Sequence, residues 1–203
     1  MANVAAATRG PAPAEKRELP TLLRKYQDEI APALMKRFGI TNRMAAPKLM
    51  KIVVNMGCGE AAHDAKILEQ AQRDLATITG QRALVTRAKQ AVSNFKIKEG
   101  DAVGVKVTLR RDRMYEFLER FISASLPRIR DFRGLSARGF DQQGNYSCGI
   151  RDHSIFAELH LDEVRNTLGM DIAFVTTGTS AEHSRALLEA FGIPFEKPPQ
   201  KSA

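Results

Sequence analysis

The chain has 203 residues, of which 43% are hydrophobic, with 31 Lys and Arg against 23 Asp and Glu, a formal net charge of +8. That length suits one domain with appendages, and the basic balance points to a polyanionic partner without bearing on fold. No apolar run approaches the ~20 residues of a membrane span, and no charged-then-apolar leader opens the chain. The two cysteines, Cys58 and Cys148, stand ninety residues apart, so neither a disulfide framework nor a zinc knuckle is expected.

Residues 1–18 are Ala-rich, carry Pro11 and Pro13, and have almost no large apolar side chains. They are expected to form a flexible tail, as are residues 198–203, which leaves 19–197 as a single domain. Leu22, Leu23, Tyr26, Ile30, Leu34 and Phe38 recur at helical spacing up to Gly39, with a kink or break expected at Pro32. Pro47 closes a loop, Lys51–Met56 reads as a buried strand, and residues 57–61 read as a turn. Asp64 is expected to cap a helix carrying Ile67, Leu68, Ala71, Leu75 and Ile78, with Gly80 at its end.

Ala83–Thr86 can form a short strand, and Arg87–Asn94 has no period and reads as a loop. Phe95–Lys98 alternates, Glu99–Asp101 turns, and Val103–Leu109 alternates again, which predicts a hairpin. Period two sets Lys106 and Thr108 opposite the valines. Arg113–Ser125 is an amphipathic helix ended before Pro127, and Arg128–Arg138 is a loop. Asn145–Ile150 and Asp171–Thr177 are strands, and Ser180–Phe191 is a last helix closed by Gly192. Strands interleaved unevenly with helices and hairpins predict an α+β fold. Its sheet should be mostly antiparallel, with helices on one face and the other face open.

The charge is sorted along the chain. Arg82–Arg113 holds nine bases and three acids, Arg128–Arg138 holds four arginines and one aspartate, and residues 139–203 hold five bases and nine acids. A chain needing only solubility has little reason to separate its charges this way. The basic middle fits phosphate contacts, with Ser93, Asn94 and Thr108 as short polar companions. Phe95 alone reads equally as a core residue or as a platform for an unstacked base. RNA is favoured over DNA, because no helix-turn-helix, finger or zipper pattern is present to enter a major groove.

Enzymatic readings carry little. Gly57-Cys58-Gly59 joins a strand to a helix but lacks the third glycine of a dinucleotide loop, so it reads as a tight turn. Cys58 and His63 could be drawn as nucleophile and base, yet no third orienting group is evident. His153, His160 and His183 are too dispersed for a metal site. No catalytic residue, metal or cofactor is expected. From composition alone, a ribosomal component and a free cytosolic RNA chaperone or regulator stay open.

Seven blocks carry a resemblance: Lys51–Ala61 (KIVVNMGCGEA), Ile78–Leu84 (ITGQRAL), Thr86–Lys98 (TRAKQAVSNFKIK), Val107–Met114 (VTLRRDRM), Leu126–Leu135 (LPRIRDFRGL), Phe140–Tyr146 (FDQQGNY) and Gly169–Thr177 (GMDIAFVTT). In order and spacing, from about Leu22 to Lys197, the chain resembles the bacterial large-subunit ribosomal protein L-five family. The resemblance implies a structural, non-enzymatic cytoplasmic ribosomal protein. It would bind 5S rRNA on the open sheet face and dock it in the central protuberance. Its other partners would be 23S rRNA, P-site tRNA, neighbouring large-subunit proteins and a small-subunit head protein at an intersubunit bridge, with no membrane and no homo-oligomer.

Carried over by motif, the family's RNA-contacting residues fall on Asn55, Gln81, Phe95 and Thr108, and the charge pattern adds Arg87, Lys96 and Lys106. The loop Lys89, Gln90, Ala91, Val92, Ser93 and Asn94 resembles the one that reaches tRNA. Arg128, Arg130, Arg133 and Arg138 form a patch resembling the bridge-side or rRNA-facing segment. The chain departs from the family at Ala157, where proline usually follows Ile155-Phe156. It departs again at Asp152-His153, which replaces a more common acid-amide pair.

Overall fold

The computed structural model describes residues 19–59, 65–159 and 167–196. Both expected tails, the Asp64 cap, His63 and His160 lie outside the described residues.

The first helical stretch runs α1 (Thr21–Lys25), a π turn (Tyr26–Ile30) and α2 (Ala31–Phe38) without a break. The break expected at Pro32 is therefore a wider turn. A proline in an α-helix has no N–H to donate, and its ring crowds the carbonyl four residues back, here Asp28. The Ala31 N–H instead donates to the Tyr26 carbonyl, five residues back, and the chain resumes α geometry with Pro32 in its first turn. Gly39 ends the helix at φ +65°, where a side chain would be strained.

Strand β1 (Leu49–Gly57) leads to α3 (Ala65–Thr79), then β2 (Leu84–Arg87), β3 (Ala102–Leu109) and α4 (Arg111–Arg120). The α4 helix passes into a π turn (Phe121–Ser125) and then a 3-10 turn (Leu126–Arg128) that contains Pro127, so the helical path continues beyond the end expected at Ser125. Strand β4 (Tyr146–Ile150), β5 (Met170–Thr176) and α5 (Ala181–Phe191), capped by the Ser180 side chain, complete the fold.

The five strands form one antiparallel sheet in the order β2-β3-β1-β5-β4. This is the expected α+β architecture. One face is apolar: Ile52, Val54 and Met56 of β1, Val105, Val107 and Leu109 of β3, and Ile172 and Phe174 of β5 are buried. Leu75 and Ile78 of α3, Phe117 and Leu118 of α4, and Leu187 and Leu188 of α5 close over that side. Phe117, Phe121 and Phe156 stack at centroid distances of 6.1–6.3 Å, and Tyr146 and Phe174 continue the aromatic layer. No helix among the described residues is long and apolar enough to cross a membrane.

A further element differs from expectation. Phe95–Lys98 is not a strand. Ser93–Phe95 makes a 3-10 turn, Lys96 takes φ +54°, Ile97 bridges to Val92, and β3 pairs with β2 in place of the predicted partner. The alternation Phe95/Ile97 has no core to face: Phe95 is 71% exposed. Without apolar burial on one side, a short two-stranded ribbon has little to hold it extended.

Candidate nucleic-acid interface

In an antiparallel sheet, directly opposed residues point to the same face. The register therefore builds the uncovered face in rows. Leu84 of β2 lies opposite Lys106 of β3, which lies opposite Asn55 of β1, then Asp171 of β5 and Gly149 of β4. The next row is Thr108, Val53, Ala173 and Ser147, and on the other side Thr86, Gly104 and Gly57 lie together. Apart from Leu84 and Val53, these are small or polar groups.

Asn55, Lys106 and Thr108 are thus brought side by side. Lys106 is exposed, and Asn55 and Thr108 are half-buried. None of the three side chains makes a hydrogen bond or ion pair with the described residues, so their full bonding capacity faces outward. Lys donates, while Asn and Thr both donate and accept, which is the mix that phosphate, ribose and base edges require.

Arg87, Phe95 and Lys96 belong to a projection at the β2–β3 end of the sheet. Its base is pinned where the Arg87 guanidinium Nη1 donates to the Gly100 carbonyl at 2.8 Å, the Ala88 N–H to Asp101 O at 2.8 Å, and the Lys98 N–H to Asp101 Oδ2 at 2.7 Å. Beyond that base Lys89, Gln90, Ala91, Val92, Ser93 and Asn94 are all exposed, and so are Phe95 and Lys96. Gln81 stands apart from the rows, in the link from α3 to β2, half-buried, with its N–H directed at Thr79 Oγ1 at 3.4 Å.

Arg128, Arg130, Arg133 and Arg138 are exposed in the connection between α4 and β4. Ile129 and residues 131–136 of that connection line an open groove of about 410 Å³ with Tyr146, Ser147, Cys148 and Gly149. The groove lies along β4, at the sheet edge opposite β2, so the arginine patch and the 88–101 projection flank the face from opposite sides.

Sequence reasoning missed several face residues, three of them with large side chains or charge. Lys51, Leu84 and Asp171 fall on the open side, and Leu84 is 63% exposed despite its apolar side chain. The strand alternation could have placed Lys51 and Asp171, since each is two-spaced from its neighbours on the same side. Leu84 carries no such signal in a four-residue strand.

The thiols offer no nucleophile. Burial pushes the Cys58 thiol up, and burial with the Asp171 carboxylate nearby pushes Cys148 to about 12, so neither supplies thiolate at neutral pH. Among the described residues no group of three or more His, Cys, Asp or Glu could hold a metal ion.

Comparison with known proteins finds matches along most of the chain. Residues 42–98 match the family described as "Ribosomal protein L5", and residues 102–195 match the model of the C-terminus of the same ribosomal family. The chain is similar to the protein named "Large ribosomal subunit protein uL5" of Thermus thermophilus, 53% identical over 176 residues, covering 87% of this chain and 97% of the relative. The protein of that name from Caldanaerobacter subterraneus is 52% identical over 176 residues, covering 87% and 98%. That from Carboxydothermus hydrogenoformans is 49% identical over 179 residues, covering 88% and 100%. A single antiparallel sheet with one uncovered polar face, matched over nearly all its length by these relatives, belongs to the L-five family of large-ribosomal-subunit proteins, cytoplasmic ribonucleoprotein components that serve translation as structure and not as enzymes.

Proposed function

We propose that the open sheet face binds 5S rRNA and, with 23S rRNA, anchors it in the central protuberance of the large subunit. The observation that carries this reading is the cluster of Asn55, Lys106 and Thr108 on an uncovered face, with no internal partner for any of the three among the described residues. Arg87, Lys96 and the exposed Phe95 extend the contact along the projection, and Gln81 adds to it from the α3–β2 link. The Lys89–Asn94 tip reaches toward P-site tRNA. Arg128, Arg130, Arg133 and Arg138 serve rRNA or the bridge to a small-subunit head protein. Binding proceeds through charge and shape, with residues 19–197 acting as one domain.

The test is equilibrium binding of the protein to 5S rRNA across a salt series. Affinity is expected to fall steeply, with log K linear in log salt, because each neutralised phosphate releases counterions. Asn55→Ala and Thr108→Ala are each expected to weaken binding by about 1 kcal/mol, roughly fivefold. A flat salt response, or unchanged affinity in both variants, counts against the assignment.

A further inference from the structure

A carboxylate stands in the middle of a face otherwise suited to phosphate. The row Leu84, Lys106, Asn55, Asp171, Gly149 runs across all five strands, so the chemistry along it passes from apolar to cation, amide, anion and bare backbone. Asp171 is exposed and forms no hydrogen bond or ion pair with the described residues. Lys106 stands two strands away, ~10 Å between backbones, and forms no ion pair with it. A Cβ built at Gly149 would meet Asp171 Oδ1 at 3.4 Å, so the carboxylate lies over the bare β4 backbone, on the side away from Lys106.

An ionised carboxylate only accepts hydrogen bonds, and so does a phosphodiester oxygen. RNA laid on this row with a phosphate over β5 would suffer like-charge repulsion at contact distance. The same RNA shifted so that donors lie over β5 would gain charge-assisted hydrogen bonds. Lys106 has the opposite preference. The two side chains together set a polarity for whatever RNA occupies the face.

We propose that Asp171 is a specificity-determining contact. Its carboxylate accepts hydrogen bonds from donor groups of the bound RNA, base amino groups or ribose 2′-hydroxyls, over the β5–β4 side, while phosphates lie over Lys106 on the β3 side. The inference rests on the reading of this face as the 5S rRNA site and adds the orientation in which the RNA lies. It also assigns discrimination to an acid that weakens general affinity for RNA.

The experiment compares 5S rRNA with an unrelated structured RNA of similar length, using the full chain and its Asp171→Asn, Asp171→Ala and Lys106→Gln variants. Thermal unfolding confirms that each variant is folded, as expected for exposed positions. Both Asp171 variants should bind the unrelated RNA as well as or better than the unaltered protein, yet lower the 5S-to-competitor affinity ratio by about tenfold. Lys106→Gln should weaken both RNAs together and reduce the salt slope by about one, leaving the ratio nearly unchanged. Analogue interference then separates the donor sources. One pool of 5S rRNA carries nucleotides lacking a base amino group, and a second carries 2′-deoxy nucleotides. At least one interference position seen with the unaltered protein should vanish with Asp171→Ala, and the pool in which it vanishes names the donor. Equal gains for both RNAs in the Asp171 variants, or interference patterns that Asp171→Ala leaves unchanged in both pools, overturn the inference. If the unaltered protein shows no preference for 5S rRNA, the proposed function falls and this inference falls with it. If the preference is present and indifferent to Asp171, only the inference falls.

Discussion

Individual side chains divide into those whose bonding is complete within the protein and those left open. Thr176 Oγ1 is fully engaged, 2.7 Å from Ser184 Oγ, 3.0 Å from the Gly144 carbonyl it donates to, and 3.2 Å from the Gly178 N–H it accepts from. Ser125 is the contrary case, with its hydroxyl buried in the second π turn and without a partner among the described residues. A buried polar group without a hydrogen bond costs stability. Ser125→Ala is therefore expected to leave the urea midpoint unchanged or raise it by the equivalent of up to about 1 kcal/mol. A large loss of stability would show that the hydroxyl has a partner in solution. At this scale the sequence was informative wherever strand alternation alone assigned a face: Lys106 and Thr108 stand opposite the buried Val105 and Val107 as period two requires. It was uninformative for Leu84, whose exposure in a four-residue strand is set by pairing with residues distant in the chain.

Elements show where local pattern and long-range packing disagree. Phe95–Lys98 alternates as a strand should, but nothing covers its apolar positions, and the segment turns instead. Pro32 breaks the local α pattern, but burial of Leu22, Ile30 and Leu34 on the two sides carries the helix through in a π turn. Gly104 marks a different constraint. A Cβ there would come within 2.6 Å of the Met56 carbonyl and 3.1 Å of Thr86 Oγ1, at the seam of β1, β2 and β3. Gly104→Ala must push strands apart, so a loss of about 2–3 kcal/mol is expected in chemical denaturation. A 5S rRNA affinity reduced further than the loss of folded protein explains would accompany it, since Asn55 and Lys106 occupy the next row. The turn before β4 provides a pH readout. Asp141 accepts from the Asn145 side-chain amide at 2.8 Å and from its N–H at 2.6 Å, and these bonds hold the carboxyl below its ordinary value. A group lowered in the folded state contributes stability above its unfolded pKa and loses it as pH falls through the folded value. The Asn145 amide resonance should therefore stay constant through the ordinary carboxylate range and shift only at more acid pH. A midpoint at or above the ordinary value would contradict these hydrogen bonds.

At the scale of the molecule, buried polar links among the described residues join segments distant in the chain. His153 is fully buried in the stretch between the last two strands of the chain. Its Nδ1 accepts from the Leu168 N–H at 3.1 Å, and its Nε2 lies 3.3 Å from Asp74 Oδ2 on α3. His153→Ala would remove both bonds and leave a cavity, at an expected cost of about 2–4 kcal/mol. His153→Gln can still donate to Asp74 and accept from Leu168, and should retain most of the stability. Equal losses in the two variants, measured by denaturant midpoint, would show that ring volume matters more than the bonds.

Composition, charge sorting and periodicity by themselves determined that this is an α+β protein with a basic middle and a polar strand face, because alternation and amphipathicity are local properties readable residue by residue. The motif blocks added the family. Strand order could not be read locally: β1 pairs with β3 and β5, partners about fifty and one hundred and twenty residues away, and local sequence holds no record of such pairings. Only that pairing sets Lys106, Asn55 and Asp171 in one row, moves the arginine patch to the far edge, and leaves Phe95 outside the core. The same long-range packing decided that a proline would be absorbed in a π turn, since the burial that carries the helix past it comes from the rest of the fold.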